Sequence, residues 1–193
     1  MRLLLTLILS ACLLQPTFSQ KDLTLLGNSE VTVDGTSTVS DWTVTVGDKL
    51  GRLIVSDDFS ARPAEGESLV GGRLVCVVKS MDGGRGETMN DKIYAAFDQG
   101  SHPHITFDLT GGKVSAQTEK GFTLQTSGTL AMAGKEQAIE LELEGESLPG
   151  GGYRLFGDHT FNMTAFGIEP PTAFFGSLEV ADPVTVKFNL LFK

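Results

Sequence analysis

Apolar and polar residues alternate along much of this chain. Between positions 139 and 144, every second residue is aliphatic and every other residue is glutamate. Successive side chains of a β-strand point to opposite faces, so this pattern predicts a strand with one apolar and one charged face. The same period of two appears at 42–46, 105–109, 122–124, 130–132 and 184–190. Strands with one wet face are typical of antiparallel sheets.

Glycine-containing turns separate these alternating segments, as at 34–35, 111–112, 120–121, 134–135 and 150–152. The spacing predicts an all-β domain of eight or more strands. Both a β-sandwich and a closed barrel fit this pattern, and periodicity alone does not choose between them. A barrel of eight strands is about the size that holds one small ligand inside.

One segment departs from the alternation. Residues 74–78 are apolar on both faces, which predicts a strand that is covered on its outer side. A candidate cover follows, since Met89, Ile93, Ala96 and Phe97 recur at helical spacing. Thr88 with Asp91 is the predicted cap of this one short helix, and the glycine and proline at 100 and 103 end it.

The N-terminus is typical of an export signal. A basic start, a short apolar run and the small residues before Gln20 predict a cleaved signal peptide at 1–19 and a mature domain at 20–193. The apolar run is too short for a transmembrane helix, which needs about 20 residues. We therefore expect a periplasmic or secreted protein. The alternative is a lipoprotein anchored through Cys12, because residues 9–12 match a lipobox.

The charge balance is acidic. The chain has 15 basic and 24 acidic residues, and removal of Arg2 with the signal leaves 14 against 24, a net charge of −10. No basic cluster is evident, so nucleic acid is not expected as a partner. Signal cleavage also leaves Cys76 as a lone cysteine among apolar neighbours, which predicts a buried, inert thiol without a disulfide.

No catalytic arrangement stands out in the sequence. His102 and His104 lie two positions apart and share a face of a strand, as metal ligands can, but no third ligand is evident. His159 is a distant candidate for that role. The glutamates at 140, 142 and 144 are interpreted as a solvated face. We therefore predict a protein that is not an enzyme and needs neither metal nor cofactor.

Five segments, in order, resemble the signatures of the YceI-like family. They are GTSTVSDW at 35–42, SMDGG at 80–84 with the helix after it, HPHITF at 102–107, GTLAMAGK at 128–135, and FGIEPPTA at 166–173 followed by 182–188. The resemblance implies a lipocalin-like barrel of eight antiparallel strands around a long apolar tunnel. It also implies an exported protein that binds a long-chain isoprenoid or other apolar lipid.

Under this interpretation, inward-facing apolar residues would line the tunnel. The candidates are Trp42, Val44, Ile105, Phe107, Phe122, Leu124, Leu141, Phe161, Met163 and Phe188. The competing hypothesis is a barrel filled by its own side chains, which would act as an envelope interaction or stress-protective module. In that case the Phe174-Phe175 pair or the acidic face would carry function. The oligomeric state stays open, a dimer included.

Two departures from the family bear on the ligand. Ser40 stands where relatives often carry a histidine, and the segment at 162–164 has no basic residue. A charged pyrophosphate head would need arginine or lysine near the tunnel mouth. The sequence indicates no arginine or lysine at that position, so we do not expect a basic tunnel mouth.

Overall fold

The alternating segments form strands in the structure, a computed structural model that describes residues 19–173 and 177–193. The strands are β1 (Gln20–Thr24), β2 (Glu30–Ser37), β3 (Trp42–Val46), β4 (Lys49–Ser56), β5 (Ser68–Val77), β6 (Met81–Asp82), β7 (His104–Gln117), β8 (Phe122–Met132), β9 (Lys135–Ser147), β10 (Tyr153–Asn162), β11 (Thr172–Ala173) and β12 (Leu178–Phe192). The single α-helix of the described residues is α1 (Glu87–Ala96). Two 3₁₀ helices, Val78–Ser80 and Met163–Phe166, complete the regular structure.

Six of the short segments combine end to end into three long strands. β1 pairs with β4 while β2, its continuation, pairs with β3. β4 then pairs with β5, and β3 pairs with β6. Thus β1–β2, β3–β4 and β5–β6 are three interrupted strands. With β7, β8, β9, β10 and β12 they make eight, and β11 is a short addition to β12.

The eight strands follow one another as an antiparallel meander and close on themselves. β12 pairs with β10 on one side and with β2 on the other. Near its end, Phe192 also bridges Leu25, which directly follows β1. The prediction of an eight-stranded antiparallel barrel is therefore confirmed, and the sandwich is excluded because the first and last strands pair.

The alternation places side chains as predicted. On β9, Leu141 and Leu143 are buried, whereas Glu140, Glu142 and Glu144 are exposed to solvent. Apolar side chains from all eight strands thus meet inside the barrel, where burial of apolar surface stabilises the fold.

One end of the barrel is plugged by the loop that connects β4 and β5. Phe59 of this loop is buried and packs edge-to-face against Phe122 and Tyr153. The Tyr153 hydroxyl donates hydrogen bonds to the carbonyls of Phe59 and Ser60, each at 3.0 Å. Polar and aromatic contacts together hold the plug in place.

Helix α1 lies at the opposite end. The expected capping pair is wrong: the helix begins at Glu87 after Gly86, so Thr88 lies inside it. Its start is held instead by Asn90, whose side chain accepts a hydrogen bond from Gly83 N at 2.9 Å and donates one to Asp82 at 3.1 Å. A side-chain to backbone bond of this kind orders the turn before the helix.

The helix also covers a different surface from the one expected. Met89, Ile93 and Phe97 pack with lumen-facing residues such as Cys76 and Met81. They therefore cap the mouth of the barrel rather than the outer face of β5. No helix among the residues that the structure describes is long and apolar enough to cross a membrane.

Candidate ligand-binding tunnel

A cavity of about 350 Å³ runs inside the barrel from the helix end toward the plugged end. This volume falls within the range of about 300–1,000 Å³ that is usual for small-ligand sites. Its walls are almost wholly apolar, from Trp42 and Phe97 near the mouth to Leu155 and Phe192 near the plug. The barrel is therefore packed solid at one end only.

The strand register arranges the lining in rows across neighbouring strands. Phe161, Val184, Gly35 and Trp42 lie opposite one another on β10, β12, β2 and β3. One step deeper, His159, Val186, Val33 and Val44 form the next row. Since period two places residues of a row on one face, both rows face the lumen.

Eight of the ten predicted tunnel residues line this cavity. They are Trp42, Val44, Ile105, Phe107, Leu141, Phe161, Met163 and Phe188. The structure thus brings them together from β3, β7, β9, β10, β12 and the 3₁₀ helix after β10. That any of them contacts a lipid stays a prediction.

Phe122 and Leu124 are placed elsewhere. Both are buried, but they belong to the solid cluster around Phe59 and Tyr153 and do not line the cavity. The alternation predicts which face a residue occupies and not its depth along the barrel axis. Phe174 and Phe175, which the competing hypothesis gives a functional role, lie outside the residues that the structure describes.

The expectation of a mouth without basic residues is wrong. Arg85 and Lys92, which precede and lie on α1, line the cavity at its mouth. Arg85 Nη2 donates hydrogen bonds to Ser40 Oγ at 3.2 Å and to Asp41 O at 3.5 Å. In the sequence, Arg85 stands in a glycine-rich turn directly before the predicted helix. Only the fold shows that this turn lies at the mouth of the tunnel.

His159 is the second residue that the sequence did not assign correctly. It faces the lumen beside Val186, and its ring centroid lies 6.1 Å from that of Phe161. His104 instead lies exposed on the outer wall. Among the described residues, no three histidine, cysteine, aspartate or glutamate side chains are grouped to hold a metal.

Cys76 lines the cavity as well and is buried. Burial disfavours the charged thiolate and raises the pKa of the Cys76 thiol to about 11. The thiol is therefore protonated at neutral pH and a poor nucleophile. The burial of Cys76 expected from the sequence is confirmed, and its low reactivity stays a prediction.

A closed antiparallel barrel around an apolar tunnel defines a class of proteins that enclose small ligands. A family model for the YceI-like domain matches residues 26–192. The chain belongs to the YceI-like family. No match is found among curated protein sequences.

Solved structures share the fold. BcnA from Burkholderia cenocepacia is similar at a TM-score of 0.65 and 20% identity, covering 84% of this chain and 95% of that one. A polyisoprenoid-binding domain from Saccharophagus degradans, implicated in plant cell wall breakdown, matches at 0.65 and 14%, covering 89% and 97%. A Campylobacter jejuni YceI protein matches at 0.57 and 15%, covering 78% and 84%. At these identities the likeness establishes the fold.

Proposed function

We propose that this protein binds one long-chain, isoprenoid-type lipid in its tunnel and serves as a carrier or sensor of it outside the cytoplasm. The observation that carries the proposal is the continuous apolar cavity between the mouth at α1 and the plug at Phe59. Binding, and not catalysis, is the activity that such a lining supports.

The physical basis is enclosure. Apolar surface removed from water contributes roughly 25 cal/mol per Å², so a long hydrocarbon chain gains most of its affinity without polar contacts. The aliphatic rows around Val186 and Val33 offer such surface on every side of the lumen.

The comparisons support the same class of ligand. The Saccharophagus degradans domain is described as polyisoprenoid-binding, and it shares the barrel of this chain. The competing hypothesis, a barrel filled by its own side chains, requires a solid interior. The region around Phe122 and Leu124 is packed in that way, whereas a cavity of about 350 Å³ occupies the lumen beyond it.

Export is part of the proposal and rests on the sequence of residues 1–19. A protein that carries a lipid through an aqueous compartment needs to shield the apolar chain from water, and the apolar lumen of this barrel offers such a shield. Cleavage after Ser19 releases the domain, whereas acylation of Cys12 tethers it to a membrane. The intact mass of protein purified from its native envelope distinguishes the two.

The first test is to express the full chain with export, purify the mature protein, extract it with organic solvent and analyse the extract by mass spectrometry. We expect one class of long-chain apolar lipid at close to one molecule per protein. Failure of the purified protein to retain or take up any prenyl lipid contradicts the proposal.

A tunnel-filling variant sharpens this test. In Val186→Phe, a phenyl ring enters the lumen at the second row and displaces ligand carbons. Loss of two buried methylene groups, at about 0.8 kcal/mol each, lowers affinity roughly tenfold. The matched control is Leu50→Phe, because Leu50 is 74% exposed on the outer wall. Equal lipid content in the two variants contradicts binding in the tunnel.

A further inference from the structure

The barrel wall has a window between β9 and β10. These strands pair only where Tyr153–Phe156 meet residues 144–147, although β10 continues to Asn162 and β9 begins at Lys135. Along its other edge β10 stays paired with β12 as far as Asn162. In residues 157–162, every second backbone N–H and C=O pair therefore points into the window and makes no β-sheet hydrogen bond to β9.

The window is bounded at both ends. Below it lies the four-residue ladder, and above it the 3₁₀ helix Met163–Phe166 spans the gap. Gln137 Nε2 donates a hydrogen bond to Ala165 O at 3.1 Å and ties β9 to that helix. The opening is thus a defined feature of the wall and not a frayed edge.

His159 lies at the inner rim of this window. It is half-buried, it faces the lumen, and its ring packs beside Phe161, which offers no hydrogen bond. Gly157, the next lumen-facing position, has no side chain, and the ring of Phe188 packs against it, 3.3 Å from where a Cβ atom would lie. A neutral imidazole supplies one donor and one acceptor nitrogen. A hydrogen-bonding group is therefore placed beside an opening to water in an otherwise apolar wall.

The outer margin of the window is acidic. Glu140 and Glu142 on β9 and Asp158 on β10 are exposed on the side away from the lumen. Lys187 on β12 lies opposite Asp158 and is bonded to Asp34 at 2.8 Å. These carboxylates repel an anionic group in the window, while Arg85 and Lys92 lie at the tunnel mouth.

We propose that the window is the seat of the ligand's polar head, that His159 hydrogen-bonds to it, and that the head is neutral, such as a carbonyl or hydroxyl. The apolar tail occupies the tunnel while the head reaches water through the wall. This inference rests on the proposed lipid-binding function and specifies the headgroup class and its position.

The test is a competition among three ligands with the same prenyl chain: the alcohol, the monophosphate and the hydrocarbon without a head. Mature protein is incubated with an equal mixture, re-isolated, and the bound fractions are quantified by mass spectrometry. Ratios of bound ligands are insensitive to any loss of folded protein. We expect the alcohol to exceed both the hydrocarbon and the phosphate.

Variants of His159 locate the contact. His159→Leu should lower the ratio of bound alcohol to bound hydrocarbon about three- to tenfold, which is the effect of one lost hydrogen bond. His159→Gln keeps a hydrogen-bonding side chain and should retain most of the preference for the alcohol. His104→Leu is the control, because His104 is exposed on the outer wall. An unchanged ratio in His159→Leu overturns the proposal, and His159→Gln covers the case in which the leucine variant fails to fold.

Three further outcomes separate this inference from the proposed lipid-binding function. Preference for the phosphate that is lost in Arg85→Gln or Lys92→Gln places the head at the mouth, overturns the window and leaves lipid binding intact. Binding of none of the three ligands overturns the lipid-binding function itself. Retention of the hydrocarbon alone supports the tunnel and contradicts the headgroup site.

Discussion

The indole of Trp42 lies flat over the backbone of Gly35 on the neighbouring strand. A Cβ atom built at Gly35 would lie only 2.1 Å from Trp42 Cζ2. The indole Nε1 donates a hydrogen bond to Thr36 O at 3.3 Å, which fixes the ring along the wall. Phe107 lies in the same way over Gly128. Large rings that rest on glycines line the lumen without crossing it, and this arrangement leaves the tunnel open.

Substitution Gly35→Ala tests this relationship. The methyl group and the indole cannot share the space, so Trp42 must move toward the lumen. We expect a loss of about 1–3 kcal/mol in the free energy of unfolding, the usual cost of overpacking. A change in fluorescence of this lone tryptophan should accompany it. Chemical denaturation and emission spectra measure the two effects.

Gly27→Ala is the matched control, because an added Cβ there meets nothing within 4 Å. It should leave both the stability and the emission spectrum close to those of the parent protein. Equal stability of the Gly35 and Gly27 variants would show that the indole does not depend on the glycine.

Much of the barrel could be predicted because its determinants are local. Alternation at 139–144 depends only on the sides to which successive residues point, and the structure buries Leu141 while exposing Glu140. Closure of the strands into a barrel, in contrast, is not determined by local sequence. It depends on pairing between Val33 and Val186, which are far apart in sequence. Here the family resemblance decided what periodicity left open.

The depth of a residue along the barrel could not be predicted from its neighbours. Leu124 and Leu141 both face inward, yet one is packed beneath the tunnel and the other lines it. The difference comes from the loop that carries Phe59 into one end, and a loop has no periodic signal. Arg85 and His159 were missed for a related reason, since a single polar residue gains meaning only from the opening beside it.

The thiol of Cys76 provides a native reporter of tunnel occupancy. Burial raises its pKa to about 11, so at pH 8 only roughly one thiol in a thousand is a thiolate. In mature protein we expect alkylation by a small maleimide at least about a hundredfold slower than in urea-unfolded chain. Because Cys76 lines the cavity, bound prenyl lipid should slow the alkylation further. The reaction is followed by intact mass.

The control for this experiment is the urea-unfolded protein. Its Cys76 should be alkylated at the same rate in the presence and in the absence of the lipid. If lipid protects the folded protein no better than detergent alone does, the lipid does not occupy the part of the lumen that Cys76 lines.

An ion pair on the outer wall gives a prediction for pH. Asp34 accepts hydrogen bonds from Lys187 at 2.8 Å and from Thr43 at 2.6 Å, and these contacts hold the pKa of Asp34 below its usual 3.8. The stability gained from the folded carboxylate is present above pH 3.8 and is lost as pH falls through the lower folded pKa. The pair is exposed, so the effect is small.

Asp34→Asn should therefore lower the stability slightly at pH 7, and the difference from the parent should vanish once the pH falls below the lowered pKa of Asp34. Urea denaturation of both proteins between neutral and acidic pH measures this difference in stability. In the alkaline range, Asp34 raises the pKa of Lys187 above 10.5, and its contribution is lost only as pH rises through that higher value. A difference that grows on acidification would show that the contact is not ionic.

The Tyr153 hydroxyl is one of several side-chain groups that tie the plug loop to the barrel, together with those of Gln117 and Ser147. Tyr153→Phe leaves the carbonyls of Phe59 and Ser60 without their donor and should cost about 1 kcal/mol of stability. Burial, and then the charge of Glu67, raise the pKa of Tyr153 above 10.0. The parent's advantage should persist below pH 10 and be lost as pH rises through that higher value. Tyr94→Phe, which removes a donor to one carbonyl at 3.1 Å, should cost less. Unchanged stability in Tyr153→Phe would show that this hydroxyl does not help to hold the plug.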